Sequence, residues 1–248
     1  HTRFPEYVAA RIHVAGVENV AYRFIRKFHA PSACVLTPTQ AITTALEARG
    51  FTRLRTWTRG VDHNRFRPMG DDGTHRYPGP VMVYAGRLAV EKNIEAFLAA
   101  DVPGTKLVIG DGPQRAELER KYPLAIFTGY LFKDDLVRAI SSGDVFVFPS
   151  RTDTFGLVML EAMACGLPVA AYPVPGPIDV VEHGVSGYLD NHLAVAIAQA
   201  LKLPPEAAIA RAALFTWQET ARQMTDALVT FSTTPNQASK PKTMPAEL

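Results

Sequence analysis

From residue 81 onward, short runs rich in β-branched and aromatic residues alternate with stretches of helical periodicity. The runs are Val81–Tyr84, Lys106–Ile109, Ala125–Phe127, Val145–Phe148 and Val169–Tyr172. Five of them imply a parallel sheet, because strands alternating with helices build βαβ units rather than hairpins. The intervening helical stretches fall at about Glu91–Ala100, Gln114–Lys121, Phe132–Ser142, Phe155–Cys165 and Ile178–Glu182. The pattern predicts a doubly wound, Rossmann-like α/β domain able to fold alone.

Residues 1–62 read differently. Helical patterns lie near Pro5–Ile12, Val17–Phe28 and Pro38–Arg49, and only Cys34–Leu36 and Arg53–Trp57 are convincing strands. Two parallel strands bury too little surface and leave a raw sheet edge, so this segment reads as the second half of another α/β domain. Residues 58–80, with Gly60, Pro68, Gly70, Asp71-Asp72-Gly73 and Pro78-Gly79-Pro80, form the natural linker. The resulting division is a partial N-terminal domain at 1–62, a C-terminal domain at 63–215 and a helix at 216–231. The tail at 232–248 is polar and proline-containing, the composition of a disordered segment.

Composition changes this picture little. The 248 residues are 47% hydrophobic and 20% charged, which excludes collagen-like, disordered and disulfide-scaffold classes for the bulk of the chain. Cys34 and Cys165 each sit in an apolar run and read as small core residues. No window approaches the roughly 18 apolar residues of a membrane span, and low cysteine use fits a cytoplasmic protein. Charge is more informative. Residues 1–67 hold 11 Lys and Arg against 4 Asp and Glu, whereas the remainder is net acidic. Arg23, Arg26 and Lys27, interleaved with Tyr22, Phe24, Ile25 and Phe28, form a basic amphipathic stretch that suits either an anionic membrane surface or a solvated face. No reader motif accompanies the charge, so nucleic acid is not the expected partner.

The candidate chemistry concentrates after the strands. Following Val145–Phe148, the segment Pro149-Ser150-Arg151-Thr152-Asp153-Thr154-Phe155-Gly156 leads into a helix whose first N–H groups, at Gly156, Leu157 and Val158, can bind an anion. With a rise of about 1.5 Å per residue, Glu161 lies roughly 7 Å beyond Gly156, an offset that suits a phosphate at the helix mouth and a carboxylate on a ribose. Glu161 is also the odd carboxylate among Val158, Leu160, Ala162 and Met163. After Val81–Tyr84, Arg87 and Lys92 place two cations five residues apart, able to neutralise a diphosphate. Gly110-Asp111-Gly112-Pro113 reads equally as a tight turn with Asp111 as cap or as part of a site. No Asp-x-Asp, Cys-x-x-Cys or His-Glu-x-x-His occurs, and the expectation is no metal and no cofactor.

Gly86-Arg87 with Glu91-Lys92, Gly110-Asp111-Gly112-Pro113, Asp153-x7-Glu161 and Glu161-Ala162-Met163-Ala164-Cys165-Gly166-Leu167-Pro168-Val169 together resemble the C-terminal domain of retaining GT-B glycosyltransferases of family 4, the glycosyl transferases group 1. The resemblance runs from about His1 to Phe231, and the opening words His1-Thr2-Arg3-Phe4-Pro5-Glu6-Tyr7 look like bacterial mannosyl- or glucosyltransferases. It implies two Rossmann-like domains facing a cleft, with on the order of 100 further residues before His1 in a whole N-domain. By the resemblance, Arg87 and Lys92 bind the donor diphosphate, Phe155, Gly156 and Leu157 line sugar and phosphate, Glu161 binds the ribose, and Tyr130 belongs to the loop that meets the base. Asp153, where the family usually has Glu, and His1 would be the catalytic residues.

The implied activity is metal-independent transfer of a hexose, mannose or glucose, from a GDP- or UDP-sugar to a lipid or glycan hydroxyl with retention. The protein would then be cytoplasmic or peripheral to the inner face of the membrane. Two other readings compete: a non-catalytic nucleotide-sugar-binding fragment, and another GT-B enzyme such as a sugar-nucleotide epimerase.

Overall fold

A computed structural model describes residues 16–70 and 77–228. The helix expected near Pro5–Ile12, residue His1 and the tail at 232–248 lie outside the described residues. The N-terminal section holds helix α1 (Val17–His29), strand β1 (Val35–Thr37), helix α2 (Gln40–Glu47) and strand β2 (Leu54–Thr56). The two strands pair in parallel, Val35 opposite Leu54 and Thr37 opposite Thr56. Cys165 is buried as expected, whereas Cys34 is only half-buried.

The C-terminal section contributes β3 (Val81–Ala85), α3 (Ile94–Leu98), β4 (Thr105–Ile109), α4 (Arg115–Lys121), β5 (Ile126–Gly129), α5 (Lys133–Ser141) and β6 (Val145–Phe148). It continues with α6 (Leu157–Ala164), β7 (Val169–Ala171), α7 (Pro177–Val180), β8 (Gly187–Leu189), α8 (Leu193–Ala200), α9 (Pro205–Ala213) and α10 (Trp217–Ala227). The sheet has six strands in the order β5-β4-β3-β6-β7-β8, all parallel. The sixth strand, β8, corrects the expectation of five. It is a three-residue edge strand beginning on Gly187, too short and too poor in β-branched residues to show as a pattern.

Side chains divide by strand parity. Val83, Leu107, Phe146, Phe148 and Val169 enter one core with Val137 and Ile140 of α5, Met159, Leu160 and Met163 of α6, and Ala208 and Ala212 of α9. Met82, Tyr84, Val108, Val145, Val147 and Ala170 enter the other with Ile94 and Phe97 of α3 and Leu193, Ala196 and Ile197 of α8. Both faces are therefore covered, which is why these strands are apolar at nearly every position.

The helix expected at Glu91–Ala100 is broken. A 3₁₀ turn at Val90–Lys92 ends at Asn93, whose left-handed backbone (φ 53°) separates it from α3. Likewise α6 begins at Leu157 rather than Phe155, because Gly156 before it is left-handed (φ 81°). α10 packs back across the chain. The Trp57 indole N–H donates to the Thr220 carbonyl at 3.0 Å, and the Thr58 amide and hydroxyl both donate to Gln223 Oε1 at 2.9 and 3.0 Å. Gly60 is required there, since a Cβ at that position would collide with the Thr216–Trp217 backbone. From α7, Asp179 Oδ1 accepts the Ala41 amide of α2 at 3.2 Å, so the two sections are joined at a second place. Among the described residues no single helix is long and apolar enough to cross a membrane.

Candidate functional site

In strand order the chain runs outward from β3 through β4 to β5, then returns to lay β6 against the other side of β3. The loops leaving β3 and β6 diverge there, and open α/β sheets hold ligands in that crevice, outside the carboxyl ends of the strands. A cavity of about 630 Å³ occupies it, a volume suited to a nucleotide-sized ligand. Its lining includes Arg87, Lys92, Tyr130, Asp153, Phe155, Gly156, Leu157 and Glu161, the residues to which the sequence resemblance gives a catalytic or binding role, His1 excepted.

The loop after β3 is held by side chains beneath it. The Tyr84 phenol donates to the Arg87 carbonyl at 3.0 Å. Burial, followed by the Asp153 and Glu91 carboxylates, pushes the Tyr84 pKa above its ordinary value, so it stays protonated as a donor. Asn93 Nδ2 donates to the Pro149 carbonyl at 3.0 Å, stitching this loop to the end of β6. Arg87 is 64% exposed, with Nη1 3.9 Å from Glu91 Oε1. Lys92 is deeper, and its ammonium donates to both carboxylate oxygens of Asp153 at 2.6 and 2.9 Å. The sequence reading gives these two residues separate tasks; the structure brings them into one ion pair.

The loop after β6 ends at Gly156. A Cβ there would lie 2.6 Å from Met159 Cε and 2.9 Å from Phe148 Cζ, so the position demands glycine for space as well as for its backbone angle. α6 buries Met159, Leu160, Ala162, Met163 and Ala164, and Glu161 is its half-buried carboxylate lining the cavity. Burial raises the Glu161 pKa above the usual value, with Arg65 pulling the other way. A buried carboxylate of this kind gains by accepting hydrogen bonds from a ligand's hydroxyls.

Tyr130 is exposed and stacks on Phe132 with ring centroids 6.3 Å apart and planes inclined by 29°. The Asp111 carboxylate accepts the Gly112 amide at 2.7 Å and Arg115 Nη1 at 2.8 Å, so its charge is spent within the turn. Gly110 alone of that motif lines the cavity.

Sequence reasoning missed Arg59. It lines the same cavity from the N-terminal section, with its guanidinium 4.1 Å over the Trp57 ring and Nη1 donating to the Trp57 and Thr58 carbonyls. Burial lowers its pKa, though an arginine remains charged at neutral pH. A cation one residue before the linker glycine Gly60 was the available signal. Pro38, directly after β1, also lines the cavity.

Comparison with known proteins agrees with this geometry. The family described as Glycosyl transferases group 1 matches residues 79–203, just over half of the chain. The Arabidopsis thaliana protein named sulfoquinovosyl transferase SQD2 is 36% identical over 209 residues, covering 77% of this chain and 41% of that protein. A Mycobacterium tuberculosis protein named GDP-mannose-dependent alpha-mannosyltransferase is 36% identical over 176 residues, covering 68% of this chain and 47% of that one. Among solved structures, sucrose-phosphate synthase from Thermosynechococcus elongatus superposes with a TM-score of 0.75 at 26% identity, over 91% of this chain and 65% of that one. The chain thus spans less than half the length of these two curated relatives. The fold is of the GT-B type.

Proposed function

This chain belongs to the glycosyl transferases group 1, and within that family we propose that it binds a GDP- or UDP-hexose and serves the retaining transfer of mannose or glucose to a lipid or glycan hydroxyl. The observation that carries the reading is the convergence of Arg87, Lys92, the glycine-opened N-terminus of α6 and Glu161 on one cavity at the switch point of the sheet. Two cations and the helix mouth match a diphosphate, and Glu161 matches the vicinal hydroxyls of the attached ribose. Arg59 adds a third cation to the cavity lining, from the N-terminal section.

In the proposed reaction the bond from the sugar's anomeric carbon to the diphosphate oxygen breaks. The bond to the acceptor oxygen forms on the same face, and the acceptor's proton passes to the departing diphosphate. The protein's contribution is electrostatic: Arg87, Lys92 and the α6 N–H groups stabilise charge gathering on the leaving group, without a metal ion. Asp153, which lines the same cavity, is proposed to meet the transferred sugar, with His1 as a second catalytic residue. Calorimetric titration of UDP, GDP, UDP-glucose and GDP-mannose in the presence of EDTA tests the reading, with NMR of the product anomer when an acceptor is supplied. Micromolar to millimolar binding of at least one donor is expected; no binding of any would overturn it.

A second reading concerns location. α1 exposes Val20, Phe24 and Phe28 four residues apart along one stripe, beside the exposed cations Arg23, Arg26 and Lys27. Such a face suits the headgroup region of an anionic membrane and would place the enzyme at the inner surface of the cytoplasmic membrane. Replacing the three cations with Gln should lower sedimentation with vesicles containing acidic lipid, and equal sedimentation would refute it.

A further inference from the structure

Both cations assigned to the donor diphosphate already face carboxylates. Arg87 stands 3.9 Å from Glu91 in an exposed, loose pair. Lys92 is different in kind, because both Asp153 oxygens accept from its ammonium and the two side chains are only 29% and 24% exposed. The pair spans the two loops of the switch point, and both residues line the cavity. A phosphate oxygen bonded to the same ammonium would come within roughly 4–5 Å of the Asp153 carboxylate, where like charges repel strongly in a partly shielded site.

We propose that Asp153 acts as a built-in stand-in for the diphosphate: it pairs with Lys92 until a nucleoside diphosphate arrives, and the nucleotide binds by exchange, taking the ammonium and releasing the carboxylate. The inference rests on the donor reading above and adds a regulatory step to that site. Exchange makes the reaction centre conditional. Asp153 is tied to Lys92 until a diphosphate arrives and becomes free to meet the sugar only once the diphosphate has replaced it. The residue in the position before the seven-residue spacing therefore has two successive partners, an ammonium and then a hydroxyl.

The exchange has a signature opposite in sign to ordinary loss of a binding residue. Calorimetry with UDP or GDP on Asp153→Asn and Asp153→Ala should show affinity rising about five- to tenfold, the worth of a partly shielded ion pair that no longer has to be broken. Lys92→Ala should show it falling. In the Lys92→Ala background, adding Asp153→Asn should change affinity by less than about twofold, since the competition has been removed. Thermal melts with retained near-ultraviolet dichroism establish that each variant is folded. Unchanged or weaker binding by both folded Asp153 variants overturns the exchange. So does an equal gain with and without Lys92, which would be through-space charge removal alone. If Lys92→Ala leaves diphosphate affinity intact, the donor reading itself fails and the exchange fails with it.

Discussion

Gly156→Ala is the substitution whose cost the structure specifies most closely. A left-handed residue with φ 81° and ψ 63° costs alanine about 1–2 kcal/mol that glycine does not incur. The new methyl would also lie 2.6 Å from Met159 Cε and 2.9 Å from Phe148 Cζ. The Met159 tip is flexible but fully buried, and Phe148 is 4% exposed in the same core, so neither has open space to move into. Overpacking of that kind costs about 1–3 kcal/mol, for a total of about 2–5 kcal/mol. Urea denaturation followed by tryptophan fluorescence should show the midpoint falling by about 0.7–2.5 M at an unchanged slope of about 2–3 kcal/mol/M. Gly184→Ala is the internal control, because Gly184 is also left-handed (φ 78°) with nothing within 4 Å of its would-be Cβ. It should lose only the backbone component, about 1–2 kcal/mol. Equal midpoints for Gly156→Ala and the unaltered protein would refute both the backbone assignment and the packing beneath it.

Glu161→Gln separates stability from function. Burial raises the Glu161 pKa, so the native state is relatively favoured where this group is protonated and loses stability as pH rises through the raised value. The variant should therefore melt higher than the unaltered protein by a margin that grows from pH 4 to pH 7, while binding nucleoside diphosphates more weakly by about 1–3 kcal/mol. A constant or reversed margin would contradict the burial argument. For Asn93, Gly keeps the left-handed backbone and loses only the bond to Pro149, whereas Ala loses both, so costs of about 1 and about 2 kcal/mol are expected in denaturant. Equal costs would show that the backbone angle contributes nothing, and no cost for Gly would show that the bond contributes nothing. Gln223→Ala should remove the acceptor of two Thr58 hydrogen bonds and speed hydrogen exchange at the Thr58 amide, and unchanged exchange would show that α10 does not hold the linker.

The sheet was legible because its strands are buried on both faces and so appear as apolar runs. β8 was not, since a short edge strand opening on Gly187 has no such run. The helix α8 escaped for a related reason: Leu193-Ala194-Val195-Ala196-Ile197-Ala198-Gln199-Ala200 is apolar nearly throughout, which hides helical period. Site residues were legible as types, because cations after β3 and a glycine opening α6 carry their chemistry locally. Their partners were not. The Lys92–Asp153 pair and the Asn93–Pro149 bond join residues 61 and 56 positions apart, and they exist only because β3 and β6 are neighbours. Arg59 reaches the cavity through the fold of the linker against α10, a tertiary fact with no local trace beyond the charge itself.

A crystal structure of the chain with UDP-glucose or GDP-mannose tests the central claim most directly. The account predicts the diphosphate between Arg87, Lys92 and the Leu157 and Val158 amides, with the ribose hydroxyls on Glu161 and Asp153 parted from Lys92. A nucleotide sugar bound elsewhere, or with its diphosphate out of reach of Lys92 and the α6 N-terminus, would contradict it.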